Sequence, residues 1–456
     1  MAFSVSHQRV TVVGGGRSGL AAAELLVERG AHVTLADAQP AIEGARRLAG
    51  LGVTLALGPH VVDTFTGADL IVLSPGVPPD QPAIAAARRA GVPVIGEIEL
   101  ASRWVLGRIV AVTGTKGKST TTTLVARMLE GAGLRVTAGG NLGTALSAQV
   151  GVSTADTIHV VEVSSFQLET TDTFHPWVSV LLNLSPDHLD RHASFEEYAG
   201  AKARIFANQT AADWAVVNAD DPASVALARS ARATRLDFSL EAGLTSGVTV
   251  ADGVVVRRES GGTTALFPTA AVRLPGRHLL GDVLAAAAVA SIAGASPVAM
   301  RRAVEGFTGL EHALERVTEI EHVSFVNDSK ATNIASAGRA IDSFDSKVVV
   351  IMGGRFKGGR FEDLREPVRA RVDAIVAIGE AAPLIHAALG DVAPVRDARS
   401  MTEAVRIAFA LARPGGVVLL APACSSFDMF RDYAERGTAF KNEVKRLEMD
   451  MSGERH

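Results

Sequence analysis

An apolar run, Ile109-Val110-Ala111-Val112, breaks into Thr113-Gly114-Thr115-Lys116-Gly117-Lys118-Ser119-Thr120 and resumes as a helical pattern over residues 121–131. Strand, glycine loop and helix in that order leave few options. The strand belongs in a parallel sheet, and the helix serves as its crossover. Glycines let successive backbone N–H groups curl around an anion, and the helix N-terminus behind them carries partial positive charge. Lys118 adds a full charge, and the Ser119 hydroxyl is placed as a handle for Mg²⁺. Gly114, Thr115, Lys116, Gly117, Lys118, Ser119 and Thr120 are therefore candidates for a nucleoside triphosphate site. Only Thr115 and Lys116 separate Gly114 from Gly117-Lys118, where the Walker pattern has four residues. A tight strand-to-helix turn that merely holds a lysine is the competing reading.

The 456 residues suggest about three domains. With 47% hydrophobic and 21% charged residues, the chain can bury an ample core. A net charge of −4 leaves no global basic field and argues against a nucleic-acid partner. The single Cys424 excludes an intrachain disulfide and fits a reducing compartment. Residues 1–9 lack the apolar core of a signal peptide, and no unbroken apolar stretch is long enough to span a bilayer. The Ala-rich run 285–293 reads as a buried helix. The expectation is a cytoplasmic protein with no membrane partner and no obligate protein partner.

Strand-like and helical runs alternate along the chain. In the first block the strands are 10–13, 32–36 and 69–73. In the second they are 109–113, 158–163, 178–182 and 215–217. Residues 236–274 shift to short β-rich pieces, 253–257 and 263–267, around the Gly261-Gly262 turn. Helical runs 282–293 and 297–307 close that block. A third alternation has strands at 323–326, 347–352, 374–378 and 417–420. The fold class expected is α/β with three domains: a Rossmann-like parallel sheet over 1–104, a P-loop ATPase-like α/β domain with a small β-rich portion over 105–308, and a second Rossmann-like α/β domain over 309–456.

Several strand ends carry chemistry. Gly14, Gly16 and Gly19 with Asp37 fit a dinucleotide fingerprint, which admits NAD, another nucleotide at a helix N-terminus, or a purely structural turn. Glu162 ends a strand beside the phosphate loop, where a nucleotide-binding sheet holds Mg²⁺ or where a carboxylate caps a turn. Asp187-His188-Leu189-Asp190-Arg191-His192 suits a metal or a substrate carboxylate, or is a solvated turn. Lys202 lies on a helical run whose other residues are largely apolar; a lone helical lysine usually faces solvent. Asn327-Asp328-Ser329-Lys330-Ala331-Thr332-Asn333 opens a helix, with Asp328 suited to a ribose, Lys330 to a phosphate, and Ser329 or Thr332 to the N-cap. The run 353–360 is cationic and glycine-rich, suited to an acidic ligand or to an exposed turn. Cys424 has no base beside it and reads as a packed residue.

Together these stretches resemble the Mur ligases of bacterial cell-wall synthesis. The resemblance rests on 113–123, EVSSFQLETT at 162–171, Asp187-His188-Leu189-Asp190-Arg191, Ala201-Lys202, VNADD at 217–221, 327–333 and 422–437. These fall in all three blocks in the family's order. The resemblance implies ATP-dependent amide formation in peptidoglycan precursor synthesis. ATP phosphorylates a carboxylate, an amine attacks the acyl phosphate, and ADP and phosphate leave. The SSFQLETT string is that of the D-glutamate-adding branch, which implies UDP-N-acetylmuramoyl-L-alanine as acceptor and D-glutamate as amine.

The implied roles are as follows. Lys118 steadies the β- and γ-phosphates. Ser119 and Glu162 hold one Mg²⁺; His188 and Lys202, the latter as a carbamate, hold a second. Ser18, Asp37, Ser74, Gly76 and Asn141 contact the UDP substrate. Asp328 and Lys330 grip ATP; Thr332, Lys357, Ser426 and Tyr433 surround D-glutamate. The chain departs from the family pattern at Ala313, where an arginine is usual, at Leu279 and Asp282, where asparagines are usual, and at Tyr433, where phenylalanine is common. Arg316 is the expected substitute for the missing arginine. Three alternatives stand beside this reading: a sibling ligase for another amino acid or for folate, an NAD-dependent oxidoreductase using Gly14 to Gly19, and a non-catalytic ATP-binding regulator.

Overall fold

The computed structural model describes residues 3–141, 143–188, 191–241, 243–274, 277–345, 347–356 and 358–453. The chain forms two compact units, Met1–Val272 with Arg277–Phe307, and Arg273–Gly276 with Thr308–His456.

The first unit holds two sheets. One is five-stranded, with β1 (Arg9–Val13), β2 (His32–Asp37), β3 (Thr54–Leu57), β4 (Leu70–Leu73) and β5 (Val94–Gly96) in the order β3-β2-β1-β4-β5. All its pairings are parallel. The strand order reverses beside β1, so a crevice opens past the carboxyl ends of β1 and β4. The other sheet contains β6 (Arg108–Thr113), β7 (Arg135–Gly140), β8 (Thr157–Glu162), β9 (Val178–Leu181), β10 (Trp214–Asn218), β11 (Thr234–Ser239), β12 (Gly247–Ala251), β13 (Val254–Glu259) and β14 (Gly262–Pro268), ordered β14-β13-β12-β11-β10-β9-β6-β8-β7. It is parallel from β7 to β12 and ends in the antiparallel meander β12-β13-β14. This meander is the β-rich portion expected from the Gly261-Gly262 turn. β6 reads as a continuous apolar run because it is buried along its whole length after Arg108, as expected for a strand covered on both faces. The helix Arg277–Ile292 buries Val283 through Ala290 completely, so the Ala-rich run is a core helix. It starts five residues earlier than the expected 282, because Gly281 sits inside the helix rather than before it, with only the Leu240 side chain near the space a Cβ would take.

The second unit is built on one six-stranded sheet of β15 (Glu315–Ile320), β16 (Val323–Asn327), β17 (Val348–Gly353), β18 (Val372–Ile378), β19 (Val395–Ala398) and β20 (Val417–Leu420), ordered β15-β16-β20-β17-β18-β19. Separate apolar clusters fill its two faces. Only β15 runs antiparallel. Its alternating Glu-Arg-Val-Thr-Glu-Ile pattern suits an edge strand with one wet face.

Within the first unit, the helix Glu97–Ser102 that follows β5 is tied to the central sheet by its acids. Glu99 is fully buried. It accepts from Asp172 N at 2.8 Å, Thr173 N at 3.0 Å, Thr173 Oγ1 at 2.6 Å, Phe174 N at 2.9 Å and Arg103 Nε at 2.8 Å. Glu97 Oε1 accepts from Ser147 N at 2.7 Å. Burial alone would push Glu99 up, but the bonds from Asp172, Thr173 and Arg103 outweigh it and hold the carboxyl below its ordinary value. Glu99→Ala strands these donors and is expected to destabilise the first unit by about 3–5 kcal/mol. Because the folded group binds its proton less tightly than the unfolded one, its contribution is present above about pH 4.5 and is lost in acid. Urea unfolding at neutral pH should show the full gap between wild type and variant, and the gap should narrow as pH falls below 4.5.

Candidate active site

β6 ends in the heart of the central sheet, between β8 and β9. The loop beyond it needs glycine at two places. Gly114 has φ 154° and Gly117 φ 82°. A Cβ on Gly114 would come within 2.9 Å of Leu182 Cβ, and one on Gly117 would collide with the Asp282 carboxylate. The neighbouring strand end pins the loop: Thr115 N donates to Asn183 O (3.0 Å), Lys116 N to Asn183 Oδ1 (2.9 Å) and Ser185 N to Thr115 Oγ1 (3.0 Å). Thr115 Oγ1 also meets Tyr198 OH at 2.9 Å. The helix Lys118–Gly131 then starts without a side-chain cap. Packing against Leu182 and Asp282 thus excludes a side chain at both glycines, and no side chain caps the helix start. This geometry fits a polyphosphate.

Charges gather around the loop. Lys118 Nζ donates back to Gly114 O (2.9 Å) and Thr115 O (3.0 Å). Lys202 is not a solvent-facing lysine: it is 2% exposed. Its Nζ donates to Gly114 O (3.0 Å) and lies 3.3 Å from Thr113 Oγ1, over the Tyr198 ring. Burial first, and the Lys118 charge second, pull its amine far below the usual lysine value. Glu162, at the end of β8, accepts from Ser119 Oγ (2.7 Å) and Asn141 Nδ2 (2.8 Å). Hydroxyl and carboxylate oxygens are the donor set that a hard cation such as Mg²⁺ takes. Thus Lys118, Ser119, Asn141, Glu162 and Lys202 converge at one sheet end. His188 takes no part in the hydrogen bonds just described. Its φ is 55°, and its ring packs edge-on against Phe166 at 4.9 Å with Asp187 Oδ2 3.8 Å from Nε2. Among the described residues no three His, Cys, Asp or Glu side chains are grouped to hold a metal ion. Leu189 and Asp190 lie outside the described residues.

Asp282 stands where the family pattern has an asparagine. The carboxyl packs against Gly117, and burial pushes it up to about 7 against the opposing pull of Lys118 and the Thr121 hydroxyl. A group that titrates near 7 folded and near 4 unfolded weakens the fold as pH rises through that window. Asp282→Asn keeps the shape and removes the ionisation. It is expected to leave Tm unchanged at pH 4 and to raise it by several degrees at pH 8, read by calorimetry.

In the first sheet, Gly14 (φ 98°) turns the chain from β1 into the helix Arg17–Glu28, whose N-cap Gly16 has no side-chain cap. Asp37 braces this turn, accepting from Gly15 N (2.5 Å) and Gln39 N (2.8 Å), and Ser74 Oγ donates to Gly14 O (3.0 Å). Asp37, Ser74 and the glycines therefore form one constellation at the crevice past β1 and β4, with Gly76 exposed beside it and Ser18 in the first helical turn. Arg191 reaches this region from the central sheet, donating to Val77 O and Glu169 Oε2, each at 3.4 Å, with its guanidinium over Phe166.

In the second unit, three strand ends converge. After β16, Asp328 is buried and pushed up to about 7 by that burial, despite Leu314 N, Lys330 and Arg339. Lys330 N donates to His312 O (3.0 Å) and Thr332 N to Lys330 O (2.8 Å). The cap of the following helix, Ile334–Asp342, is neither Ser329 nor Thr332 but Asn333, whose Oδ1 accepts from Ser336 N (2.8 Å). After β20, Cys424 is a fully buried packed residue, as expected. Ser426 is buried, its carbonyl accepting from Phe430 N (2.8 Å). Tyr433 opens the helix Tyr433–Gly453 and meets His312 edge-on at 6.3 Å. After β17, Arg355 pairs with Glu380; Lys357 lies outside the described residues. Arg316, the expected substitute for the missing arginine, is an exposed residue of the edge strand β15, bonded to Glu319 Oε2 (3.2 Å) and Ser324 Oγ (3.3 Å).

Among the described residues no helix is long and apolar enough to cross a membrane. Three family models match in order: "Mur ligase MurD-like, N-terminal domain" over residues 8–96, "Mur ligase middle domain" over 112–290, and "Mur ligase, glutamate ligase domain" over 314–424. The chain is 45% identical to the UDP-N-acetylmuramoylalanine–D-glutamate ligase of Acidobacterium capsulatum, over 97% of each chain. It is 45% identical to the protein of that name from Geobacter metallireducens, over 98% of this chain and 99% of that one. Among solved structures, UDP-N-acetylmuramate-alanine ligase MurC of Thermotoga maritima shares the fold, with a TM-score of 0.60 and 20% identity over 97% of this chain and 100% of that one. The loop, the acids and lysines around it, and likeness along nearly the whole chain lead to one conclusion: this protein belongs to the Mur ligase family of ATP-dependent ligases.

Proposed function

We propose that this enzyme joins D-glutamate to UDP-N-acetylmuramoyl-L-alanine through an acyl phosphate, with ATP converted to ADP and phosphate, in the cytoplasmic synthesis of a peptidoglycan precursor. The observation that carries the reading is the convergence of Lys118, Lys202, Ser119 and Glu162 on an uncapped glycine loop. Relatives named for this reaction over nearly their whole length support the choice of substrates.

Gly114, Thr115, Lys116, Gly117, Lys118, Ser119 and Thr120 cradle the triphosphate, and Lys118 leaves its loop carbonyls for phosphate oxygens. Ser119 and Glu162 hold one Mg²⁺, and His188 with Lys202 hold a second. Bound Mg²⁺ neutralises the charge that gathers on the transferred phosphoryl group and the acyl oxygens. Lys202 is suited to become an anionic ligand. Burial pulls its amine well below the usual lysine value, which favours the neutral form whose lone pair adds to CO₂, releasing one proton and leaving an N-carboxylate. Asn141, held by Glu162, orients the acceptor near its carboxylate, while Ser18, Asp37, Ser74 and Gly76 take the UDP end. Asp328 and Lys330 contact the nucleotide. Thr332, Lys357, Ser426 and Tyr433 receive D-glutamate. These roles divide the chain into 1–104 for the UDP substrate, 105–308 for ATP, and 309–456 for the amino acid.

Phosphate release with ATP, UDP-N-acetylmuramoyl-L-alanine and a panel of amino acids tests the reading. D-Glutamate alone is expected to support turnover. Preference for L-glutamate, lysine or another amino acid would overturn the substrate assignment.

A further inference from the structure

Arg436 lies in the first turn of the helix Tyr433–Gly453 and is 1% exposed. Its guanidinium donates to three neutral oxygens: Nε to Ser329 Oγ at 3.0 Å, Nη2 to Ser329 O at 2.9 Å, and Nη1 to Cys424 O at 3.1 Å. Among the described residues no carboxylate forms an ion pair with it; Asp428 acts on it only at longer range and accepts from Glu380 N at 3.0 Å. Burial pulls the guanidinium down to about 10, so it stays charged at neutral pH. Packing alone does not account for such a residue, since an apolar side chain of similar volume fills a core without burying an uncompensated cation.

The placement of its partners gives the charge a use. Ser329 sits between Asp328 and Lys330, three residues before Thr332. Cys424 sits two residues before Ser426. Ser329 Oγ, while accepting from Arg436, donates to Tyr433 O at 2.7 Å. One planar fork thus ties the loop after β16, the loop after β20 and the helix start bearing Tyr433. Ala423 N to Ala331 O, at 2.9 Å, is a further link between the two loops. Close packing leaves the fork no slack: a Cβ on Gly354 would lie 3.2 Å from Arg436 Nη1.

We propose that Arg436 is a positioning residue for the acidic amino-acid substrate, holding the loops that carry Thr332 and Ser426 in one arrangement and lending a buried positive charge to a dicarboxylate bound on them. This rests on the D-glutamate ligase reading. The test is steady-state kinetics of Arg436→Met and Arg436→Lys, with thermal melts to verify folding. Arg436→Met is expected to raise the D-glutamate KM about tenfold or more, the effect of losing hydrogen bonds from a charged donor. Arg436→Lys keeps the charge without the fork and should fall between wild type and Arg436→Met. KM for the UDP acceptor, whose candidate residues lie in the first unit, should stay within about twofold in both. A folded Arg436→Met enzyme with unchanged D-glutamate KM overturns the proposal, as does an equal rise in all three KM values. If Arg436→Met does not fold, Ser329→Ala removes one of the three bonds and is expected to raise the D-glutamate KM about threefold; no change there overturns the proposal equally. Wild-type enzyme without D-glutamate-dependent phosphate release would instead bring down the ligase reading on which the proposal stands.

Discussion

Lys118→Ala is expected to slow ADP and phosphate release about 10²–10³-fold, the loss typical of removing one preorganised charge from a transferring group. Lys118 Nζ donates to Gly114 O and Thr115 O of its own loop, so it is already held over the loop proposed to take the phosphates. Its charge matters most when the γ-phosphoryl group is in flight, so the loss should fall on kcat more than on the ATP KM. Lys118 also depresses the neighbouring Lys202 amine. The variant should therefore leave Lys202 with a greater affinity for its proton. Stopped-time phosphate assays separate kcat from KM, and parental turnover in the variant would remove the basis for the whole nucleotide assignment.

Lys202→Arg is the second large effect. A guanidinium supplies a permanent positive charge but carries no CO₂, so a structural cation and a carbamylated ligand give opposite outcomes. We expect turnover to drop about 10²-fold. We also expect a carbonyl signal from ¹³C-bicarbonate in the parent, absent from the variant, in carbon NMR. Full activity in Lys202→Arg, or no such signal in the parent, would refute the second metal-ligand role. The depth of Lys202 and the downward pull of burial on its amine suit it to that chemistry.

The architecture was largely legible because parallel α/β folds write themselves locally. Apolar β-branched runs such as 109–113 and 348–353 end in glycine or acid and restart as helices, and the acid at the end of β8 follows from the same rule. What stayed hidden depends on partners far along the chain. Glu99 meets Thr173 and Arg436 meets Ser329, each across a separation that no periodicity reports. Lys202 reads as an exposed helical residue until Tyr198, Thr113 and Gly114 are seen around it. Asn333 capped its helix ahead of the equally suitable Ser329, because Ser329 was already spent on Tyr433 and Arg436. The helix Arg277–Ile292 begins before the expected 282 because a glycine inside a packed helix looks, in one dimension, like a break before its start.

The tight seat of Gly117 against Asp282 bears on inhibitor resistance. A compound that reads the loop through its main-chain amides meets a surface that single codon changes cannot readily reshape, because any side chain at 117 first requires a smaller neighbour at 282. A side chain at 117 would then demand a second, compensating change at 282.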